Sequence, residues 1–299
     1  MIRHAFSQNQ RRQLICLLFT VPALVVVFVF FVFPMLRSFL YSFTDWDGIA
    51  RTSHWVGLKN YARVISDDSF KQVVGNTLYL IVIYVPVLNV IALLLAVAVY
   101  NAGRAGTVYK TLLFFSNLLS MTVVALIWRT IYAYEGLLNQ FLKAVGLTIL
   151  VRDWLGQSFT VMPAMSFTII WFAVGYYLLI YLAGLNAVPV EIYESAEVEG
   201  VTSAQKLFRI TIPLIAPSIT INMVLSTIGI ITLFDLPFVL TRGGPGYGSE
   251  TLALHVYFYA FVKLQTSAAL ALAVILGIFA IVVSSIMLRF LRRREEASL

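Results

Sequence analysis

Residues 186–213 read NAVPVEIYESAEVEGVTSAQKLFRITIP and form a polar segment between two long apolar stretches. Pro189 suits the first turn of a helix, because its ring fixes φ near the helical value. An N–H in the first turn has no partner within the helix, so the N–H that proline lacks is not missed there. Glu191 and Glu194 then lie near the positive end of the helix dipole. Gly200 suits the position just after the helix, where the backbone turns left-handed. The sequence therefore predicts a short helix that ends before Gly200.

A second short helix is predicted next, since Thr202 and Gln205 have the spacing of a capping box. Two short helices that are joined near a glycine, and held at both ends by long apolar stretches, form a rigid element. Ser195 and Ala196 are small, so another backbone can approach closely, and nearby apolar side chains are ringed by four glutamates. These features indicate a docking surface for a soluble partner. The alternative, an amphipathic loop on the lipid surface, is disfavoured because an anionic leaflet repels glutamate.

The composition of the whole chain is that of a membrane protein. Of its 299 residues, 60% are hydrophobic and only 12% are charged, and the mean hydropathy is +0.89. These values exclude an ordinary soluble enzyme and a disordered protein. Six uncharged intervals are long enough to span a bilayer as helices: 13–36, 72–103, 111–128, 154–190, 210–234 and 264–288. We therefore predict an all-α polytopic membrane protein with six transmembrane helices.

An even number of spans places both termini on one side of the membrane. Lys and Arg are denser in segments 1–13, 101–110, 186–212 and 289–299 than in the longer loops opposite, which makes the side of these segments cytoplasmic. The basic residues before the first span, Arg3 among them, resemble a signal peptide, but the apolar run is too long and no cleavage site follows. The net charge of +7 fits anionic lipid better than nucleic acid, so we expect no nucleic-acid partner.

The sequence contains none of the residue patterns that catalysis or metal binding needs. A single cysteine, Cys16, excludes a disulfide framework and a Cys-based zinc site. The three histidines, His4, His54 and His255, lie in separate segments. Residues 103–111 lack the glycine before the lysine that a phosphate-binding loop requires. We therefore predict no catalytic residue, metal or cofactor in this chain, and expect any ATP hydrolysis to occur in another subunit.

The polar segment also carries a specific family resemblance. Glu194-Ser195-Ala196, three residues, Gly200, nine residues and Ile210-Thr211-Ile212-Pro213 resemble the EAA loop of permease subunits of binding-protein-dependent ABC importers. That loop follows the pattern E-A-A, three residues, G, nine residues, I-x-L-P. Serine replaces the first alanine and isoleucine replaces the leucine, and both changes are mild and conserve size. Residues 186–212 are therefore identified as a cytoplasmic EAA coupling loop.

Further stretches resemble the carbohydrate-uptake branch of these permeases, which includes maltose-, lactose- and glycerol-3-phosphate-type systems. Residues 42–46 (SFTDW) and 55–61 (WVGLKNY) look like its first outside loop, and Asn76-Thr77 fits the start of its second span. Residues 240–245 (LTRGGP) look like the G-G-P stretch after its fifth helix, within a turn-rich loop predicted to be flexible. The similarity covers about residues 15–290 and implies transport of a sugar or related carbohydrate.

The resemblance implies a type I ABC importer permease fold, with residues 1–299 forming a single transmembrane domain in the bacterial cytoplasmic (inner) membrane. In that family a second permease subunit, commonly a homologue, completes the pathway. Two cytoplasmic ATPases hold ATP and Mg²⁺, and an extracytoplasmic solute-binding protein delivers the substrate. The resemblance assigns contact with the ATPases to Glu191, Glu194, Ala196 and Gly200, with Glu194 pairing with a basic residue or helix end.

Sugar sites combine aromatic rings that stack on C–H faces with small polar groups that bind hydroxyls. By its distance from the EAA loop, the fourth span overlies the stretch that lines the sugar site of maltose-type permeases. The substrate contacts predicted in this way are Trp171, Phe172 and Tyr176 in the fourth span, Asn222, Ser226 and Ile230 in the fifth, and Asn117 and Ser120 in the third. Each could instead serve ordinary helix packing. Ile230 stands where a polar residue is expected, which leaves open that the partner permease provides most of the site.

Three other functions are weighed against this one. A secondary carrier or channel would need a titratable group near mid-membrane, yet no span centre holds Asp or Glu. An ABC permease for peptides, amino acids or phosphate would keep the same loop, and only aromatic richness and the first-loop pattern favour sugar. An integral membrane enzyme would need a reactive cluster that the sequence lacks.

Overall fold

We describe the fold from a computed structural model in which residues 8–298 are described. Arg3 and His4, and most of the basic segment predicted before the first span, lie outside the described residues. Within 8–298 the chain forms helices and turns, with one isolated antiparallel bridge between Thr44 and Trp55 and no strand. The prediction of an all-α fold is therefore confirmed.

The helices are short wherever the chain bends and long where it is uniformly apolar. In chain order they are α1 (Gln8–Val27), α2 (Phe33–Tyr41), α3 (Lys59–Ile65), α4 (Asp68–Tyr79), α5 (Val85–Asn101), α6 (Gly106–Phe114), α7 (Met121–Tyr132), α8 (Leu137–Ala144), α9 (Ser158–Asn186), α10 (Val190–Val198), α11 (Ser203–Gln205), α12 (Ile212–Leu214), α13 (Ala216–Ile231), α14 (Asp235–Leu240), α15 (Leu252–Tyr257) and α16 (Thr266–Ser298). Wider π turns cover Phe28–Val32, Leu80–Tyr84, Lys206–Thr211 and Phe258–Val262, and 3₁₀ turns cover Gly103–Ala105, Phe115–Leu118 and Thr148–Leu150.

Four continuous helical stretches among the described residues are long and apolar enough to cross a membrane: Cys16–Tyr41, Asp68–Asn101, Ser158–Asn186 and Thr266–Arg293. The first two contain π turns that end two residues before Pro34 and Pro86. Proline has no N–H to donate, so the helix widens there without ending. These four correspond to the first, second, fourth and sixth predicted spans.

The third and fifth predicted spans are not single straight helices, which corrects the simple reading of intervals 111–128 and 210–234. The pair Gly103–Leu118 and Met121–Ala144 is bent by 94°, and the pair Ser203–Leu214 and Ala216–Ile231 by 73°. Counting each bent pair as one span gives up to six.

Each bend has a local cause. In the first pair, Leu119 and Ser120 are extended, and the Ser120 hydroxyl accepts from the Val123 N–H to start a new helix. In the second pair, Pro213 and Pro217 flank the break and interrupt the backbone hydrogen bonding. Charge and hydropathy alone carry no sign of either break.

The chain divides into two compact units. One comprises the chain up to Val64 together with Tyr259–Val274, and the other comprises Ile65–Phe258 with the residues from Ile275 onward. In the second unit, α5 packs along α9, and α13 packs on both. Its apolar core includes the fully buried side chains Leu88, Leu178 and Tyr181. The prediction of a single domain over 1–299 stays a prediction.

Candidate functional site

The predicted coupling segment begins with α10. Pro189 precedes the helix rather than standing inside it, because its ψ of 134° is extended, and the helix starts at Val190. At the other end Gly200 has φ +74°. Its N–H donates to the Glu197 carbonyl, and the Val201 N–H donates to that of Ala196, each at 3.1 Å. This pair of bonds is a Schellman motif, so the predicted glycine stop is confirmed.

The second predicted helix is also confirmed at its start. The Thr202 N–H donates to Oε1 of Gln205 over 3.0 Å, and the Gln205 N–H donates to Oγ1 of Thr202 over 3.3 Å. This reciprocal capping box fixes both orphan donors at the turn. The chain then continues through the π turn Lys206–Thr211 into α12.

The two parts of the segment are held against each other and against α5. Lys206 Nζ lies 2.6 Å from Oε1 of Glu197 and 6.0 Å from the centre of the Tyr193 ring. Tyr193 in turn lies 6.2 Å, ring to ring, from Tyr100 in the last turn of α5. The segment is thus a stiff element with side-chain contacts to a long apolar helix, as a lever requires.

The segment exposes some predicted ATPase contacts and not others. Glu191, Glu194 and Gly200 are exposed. Ala196 is only 5% exposed, because its methyl group faces the interior of its own chain. It does not share the surface that the other three present. A cavity of about 690 Å³ opens beside this surface, lined in part by Tyr100, Tyr193, Glu194, Glu197 and Lys206.

Among the predicted substrate residues, the aromatic ones on α9 are partly open. The side chains of Trp171 and Tyr176 are 39% and 45% exposed. Trp171 meets Trp128 edge to face at 5.6 Å, and Tyr176 meets Tyr177 at 5.2 Å. An exposed indole and an exposed phenol on one helix can stack on an apolar sugar face and bind a hydroxyl.

Asn117 and Phe172 lie beside this aromatic face. The Ser116 hydroxyl donates to the Phe172 carbonyl over 3.1 Å, and Asn117 Oδ1 accepts from the Tyr176 N–H over 3.2 Å. The side chains of Ser116 and Asn117 thereby contact the α9 backbone at residues 172 and 176, which are one helical turn apart. The structure brings three predicted residues together here, while Ser120, the other residue predicted in the third span, is exposed at the break before α7.

The backbones approach closely at this contact because residue 175 is glycine. A Cβ built on Gly175 would lie 2.7 Å from the Leu113 carbonyl carbon and from Cα of Phe114. Real Cβ atoms do not come so near to a backbone, so no larger residue fits without separating α6 from α9. The glycine therefore fixes the position of Asn117 relative to Tyr176.

The predicted residues of the fifth span lie inside the chain. Asn222, Ser226 and Ile230 are all buried, with Ser226 2% exposed. The amide of Asn222 donates to the Tyr177 carbonyl over 3.0 Å. Ser226 donates to backbone carbonyls of its own helix, including that of Asn222 over 2.6 Å. As substrate contacts these three stay predictions, and in this structure the amide nitrogen of Asn222 and the hydroxyl of Ser226 bind other parts of the chain.

The partners of Ser226 were not predicted from the sequence. Asn89 in α5 donates to Ser226 Oγ over 3.0 Å, and the Tyr181 hydroxyl donates to Asn89 Oδ1 over 2.8 Å. These bonds join α5, α9 and α13 inside the core. An amide in the apolar run 80–99 is the signal that could have found this cluster, since a lone amide in lipid-facing sequence needs a partner.

The G-P-rich loop after the fifth span is firmly bonded, which corrects its predicted flexibility. Nδ2 of Asn76 donates to the carbonyls of Tyr247 and Glu250 over 2.7 and 3.0 Å. His255 Nδ1 lies 2.5 Å from Oε1 of Glu250, and both side chains are buried. The loop contains a cis Gly244–Pro245 bond. Two sequence motifs thus contact each other although Asn76 and Tyr247 are separated by 171 residues in the chain.

The two halves of the predicted first outside loop also pair with each other. The Val56 N–H donates to the Phe43 carbonyl over 2.8 Å, and Asn60 donates to the Thr44 carbonyl over 2.7 Å. The His54 N–H, bonded to the carboxylate of Asp45, lowers the pKa of Asp45. The pKa of Asp47 is also lowered, by the backbone N–H groups of residues 50 and 49.

Among the described residues, no group of three or more His, Cys, Asp or Glu side chains could hold a metal ion. Two histidines within residues 8–298 each lie beside a carboxylate: His54 beside Asp45 and His255 beside Glu250.

Comparison with known proteins agrees with this description. Residues 3–296 match the family "Binding-protein-dependent transport system inner membrane component". The chain is 34% identical to the probable ABC transporter permease protein YurN of Bacillus subtilis (strain 168), over 96% of this chain and 99% of the relative. It is 31% identical to the multiple sugar-binding transport system permease protein MsmF of Streptococcus mutans, over 93% of this chain and 95% of the relative.

A solved structure shares the fold over nearly the whole chain. It is the crystal structure of a bacterial alginate ABC transporter in complex with an alginate pentasaccharide-bound periplasmic protein, and one of its chains superposes with a TM-score of 0.84. The sequence identity is 20%, and the match covers 96% of this chain and 97% of that one. The predicted ABC importer permease fold is therefore confirmed.

Proposed function

Because this chain belongs to the family of binding-protein-dependent transport system inner membrane components, we propose that it is the transmembrane subunit of an ATP-driven importer for a sugar or related carbohydrate. An extracytoplasmic solute-binding protein delivers the substrate to it. A relative named for multiple sugar binding and a shared fold with an alginate importer support this choice of substrate class.

The observation that carries the proposal is the stiffness of the segment from α10 to α12. The Schellman motif at its glycine, its capping box and the Lys206–Glu197 ion pair restrict rotation about the backbone dihedrals of this segment. One of the two cytoplasmic ATPases seats on the surface formed by Glu191, Glu194 and Gly200 and displaces it as a unit. The Tyr193–Tyr100 contact then passes this displacement to α5.

The remaining components of the importer follow from this role. A second permease, homologous to this one, completes the pathway across the lipid bilayer. ATP and Mg²⁺ bind the partner ATPases, and this chain contributes no ATPase site or other cofactor site. The chain is a multi-pass inner-membrane protein with both termini in the cytoplasm, and nucleic acid has no part in its function.

The partly exposed aromatic face of α9 is the proposed substrate surface. Trp171 and Tyr176 offer rings for stacking, with Phe172 and Asn117 behind them and Ser120 at the nearby break. These residues contact the carbohydrate directly. Asn222 and Ser226 act through α9, because Asn222 binds the Tyr177 carbonyl and Ser226 is linked through Asn89 to Tyr181, while Ile230 stays a predicted contact.

The decisive experiment reconstitutes the purified chain with its natural companion subunits in phospholipid nanodiscs. ATP hydrolysis is measured as the solute-binding protein is added with monosaccharides, oligosaccharides, polyols or sugar phosphates. Stimulation by one carbohydrate class is the expected result. Matched arms contain an amino acid, a short peptide and inorganic phosphate. Stimulation confined to one of those arms contradicts the sugar assignment, and uptake driven by an ion gradient without ATP contradicts the importer.

Replacing Tyr176 with alanine is expected to raise the half-saturating substrate concentration for uptake several-fold, because a stacking surface is lost. Tyr176→Phe keeps the ring and should stay close to the wild type. The matched core change Ser226→Ala should instead lower stability, by about 1 kcal/mol, and leave the half-saturating concentration nearly unchanged. Uptake assays over a range of substrate concentrations, with thermal unfolding of each purified variant, separate the two effects. An unchanged half-saturating concentration in Tyr176→Ala would mean that the site lies elsewhere.

A further inference from the structure

The stretch between α7 and α9 exposes an unusually apolar surface. In α8 the side chains of Asn139 and Leu142 are buried, whereas Leu137 and Phe141 on the opposite side are exposed. Ile149, in the following 3₁₀ turn, is 86% exposed. Further exposed apolar side chains in this stretch are Tyr134, Val145, Leu147, Leu150 and Phe159. We call the surface formed by the exposed apolar side chains of residues 134–159 the α8 patch.

The α8 patch is built on a rigid support. The Asn139 amide donates to the carbonyls of Tyr134 and Arg152 over 3.0 and 2.8 Å. Its oxygen accepts from the Trp154 indole over 2.9 Å and from the Arg152 N–H over 3.4 Å. One buried side chain therefore ties the start, middle and end of the stretch together. The patch keeps its shape without a partner, so a partner need not pay for ordering it.

Cations stand beside aromatic rings at the edge of the patch. Lys143 Nζ lies 5.6 Å from the centre of the Tyr134 ring. The Arg152 guanidinium lies 5.6 Å from the Trp154 ring and 5.8 Å from that of Phe159. Basic side chains with long apolar stems next to aromatic rings are typical of the boundary between phospholipid headgroups and acyl chains.

The length of α9 places the patch at that boundary. This helix has 29 residues, so it is roughly 44 Å long at 1.5 Å per residue. A bilayer measures about 40–45 Å with its headgroup regions. Since α9 carries the coupling segment after its last residue, its first turn lies at the headgroup level of the opposite surface. Phe159 is in that first turn, and Arg152 contacts it.

We propose that the α8 patch is a lipid-binding surface, which seats in the phospholipid interface on the membrane side opposite the coupling segment. Leu137, Phe141 and Ile149 enter the upper acyl-chain region, and Arg152 faces lipid phosphates, while Lys143 lies at the same level and pairs with Glu135 over 3.6 Å. A docking protein is the less favoured occupant, because the depth given by α9 puts this surface within the bilayer boundary and the basic residues flank an apolar centre.

The test uses the full chain with its co-purifying companions in nanodiscs of zwitterionic and anionic phospholipid. Cys16, the exposed native cysteine, is replaced by alanine, and single cysteines are introduced as Phe141→Cys and Ile149→Cys for an environment-sensitive fluorophore. Gln140→Cys is the matched control, since Gln140 is exposed on the same helix but polar. Quenching by spin-labelled phospholipid is compared with quenching by aqueous iodide.

We expect lipid quenching at positions 141 and 149 to exceed that at position 140 by about threefold, and iodide quenching to show the reverse order. Uptake by each labelled variant reports whether it has folded. Equal iodide quenching at all three positions would overturn the proposal. So would protection of positions 141 and 149 that arises only when the solute-binding protein is added, because the occupant would then be that protein.

Discussion

A Gly200→Val variant is expected to reach the membrane in normal amounts and yet to lose nearly all substrate uptake. Gly200 has φ +74°, a conformation that costs an L-residue about 1–2 kcal/mol, and more for a β-branched one. That cost is enough to shift a marginal turn out of its ordered state by roughly 5–30-fold. Without the turn, the Schellman bonds are lost and the two halves of the coupling segment no longer move together.

The cause of this loss can be resolved with a small series of substitutions. A Cβ built on Gly200 meets no atom within 4 Å of its own chain, so steric crowding within the subunit is excluded as the reason. If backbone conformation dominates, Gly200→Asn should keep most uptake, because asparagine tolerates a left-handed backbone, and alanine should fall between asparagine and valine. If close approach by an ATPase dominates, alanine should outperform asparagine.

Uptake, ATPase retention during purification and ATP hydrolysis are measured for each member of the series. Gly103→Val is a suitable control, since Gly103 also has positive φ, at +55°, and open space around it, but lies outside the coupling segment. Normal uptake by Gly200→Val would refute the rigid-lever mechanism. A loss equal to that of Gly103→Val would mean that the effect is not specific to the segment.

The coupling segment could be predicted from the sequence because every signal that defines it is local. Gly200 stops one helix, and Thr202 and Gln205 start the next within five residues of it. Such caps satisfy backbone groups that have no helical partner, whatever surrounds them. Ala196 is buried, because tertiary packing decides which face of α10 turns inward, and its contact with an ATPase stays a prediction.

The bend in the third span could not be predicted in the same way, whereas Pro213 and Pro217 mark the bend in the fifth span locally. Uninterrupted apolar sequence specifies that a segment avoids water, not that it is straight. The break at Ser120 is supported by α6 packing directly on α9, with Ser116 and Asn117 bonded to the α9 backbone. Those partners lie 56 and 59 residues away, beyond the reach of a local pattern.

The same limit explains the buried polar cluster and the outer loop. Ser226 bonds to Asn89, which is 137 residues away in the chain. The sequence of the fifth span alone does not show this partner, so the Ser226 hydroxyl looks available for substrate. The loop 241–248 reads as flexible because it is rich in glycine. Its actual order comes from distant Asn76 and from the buried Glu250–His255 pair. The role of a polar residue in a membrane helix is thus defined by the group to which it hydrogen-bonds.

A single added methyl group at residue 175 is expected to disrupt the proposed substrate surface. The Cβ of Gly175→Ala would overlap the backbone of residues 113 and 114, so α6 must move away from α9. Overpacking of this kind, together with loss of the Ser116 and Asn117 bonds, should lower the free energy of unfolding by about 2–5 kcal/mol. Uptake should fall with it, because Asn117 and Tyr176 lose their fixed separation.

The matched control is Gly229→Ala in α13. Its added Cβ would meet only the Tyr177 hydroxyl, at 3.8 Å, which is ordinary contact. An alanine in a helix loses less backbone entropy on folding than a glycine, so this variant should be as stable as the wild type or more stable by about 0.5–1 kcal/mol. Unfolding of both purified variants in detergent, and uptake in cells, are compared. Equal stability of the two variants would mean that the α6–α9 contact does not depend on Gly175, and the aromatic face of α9 would then need another explanation for its fixed geometry.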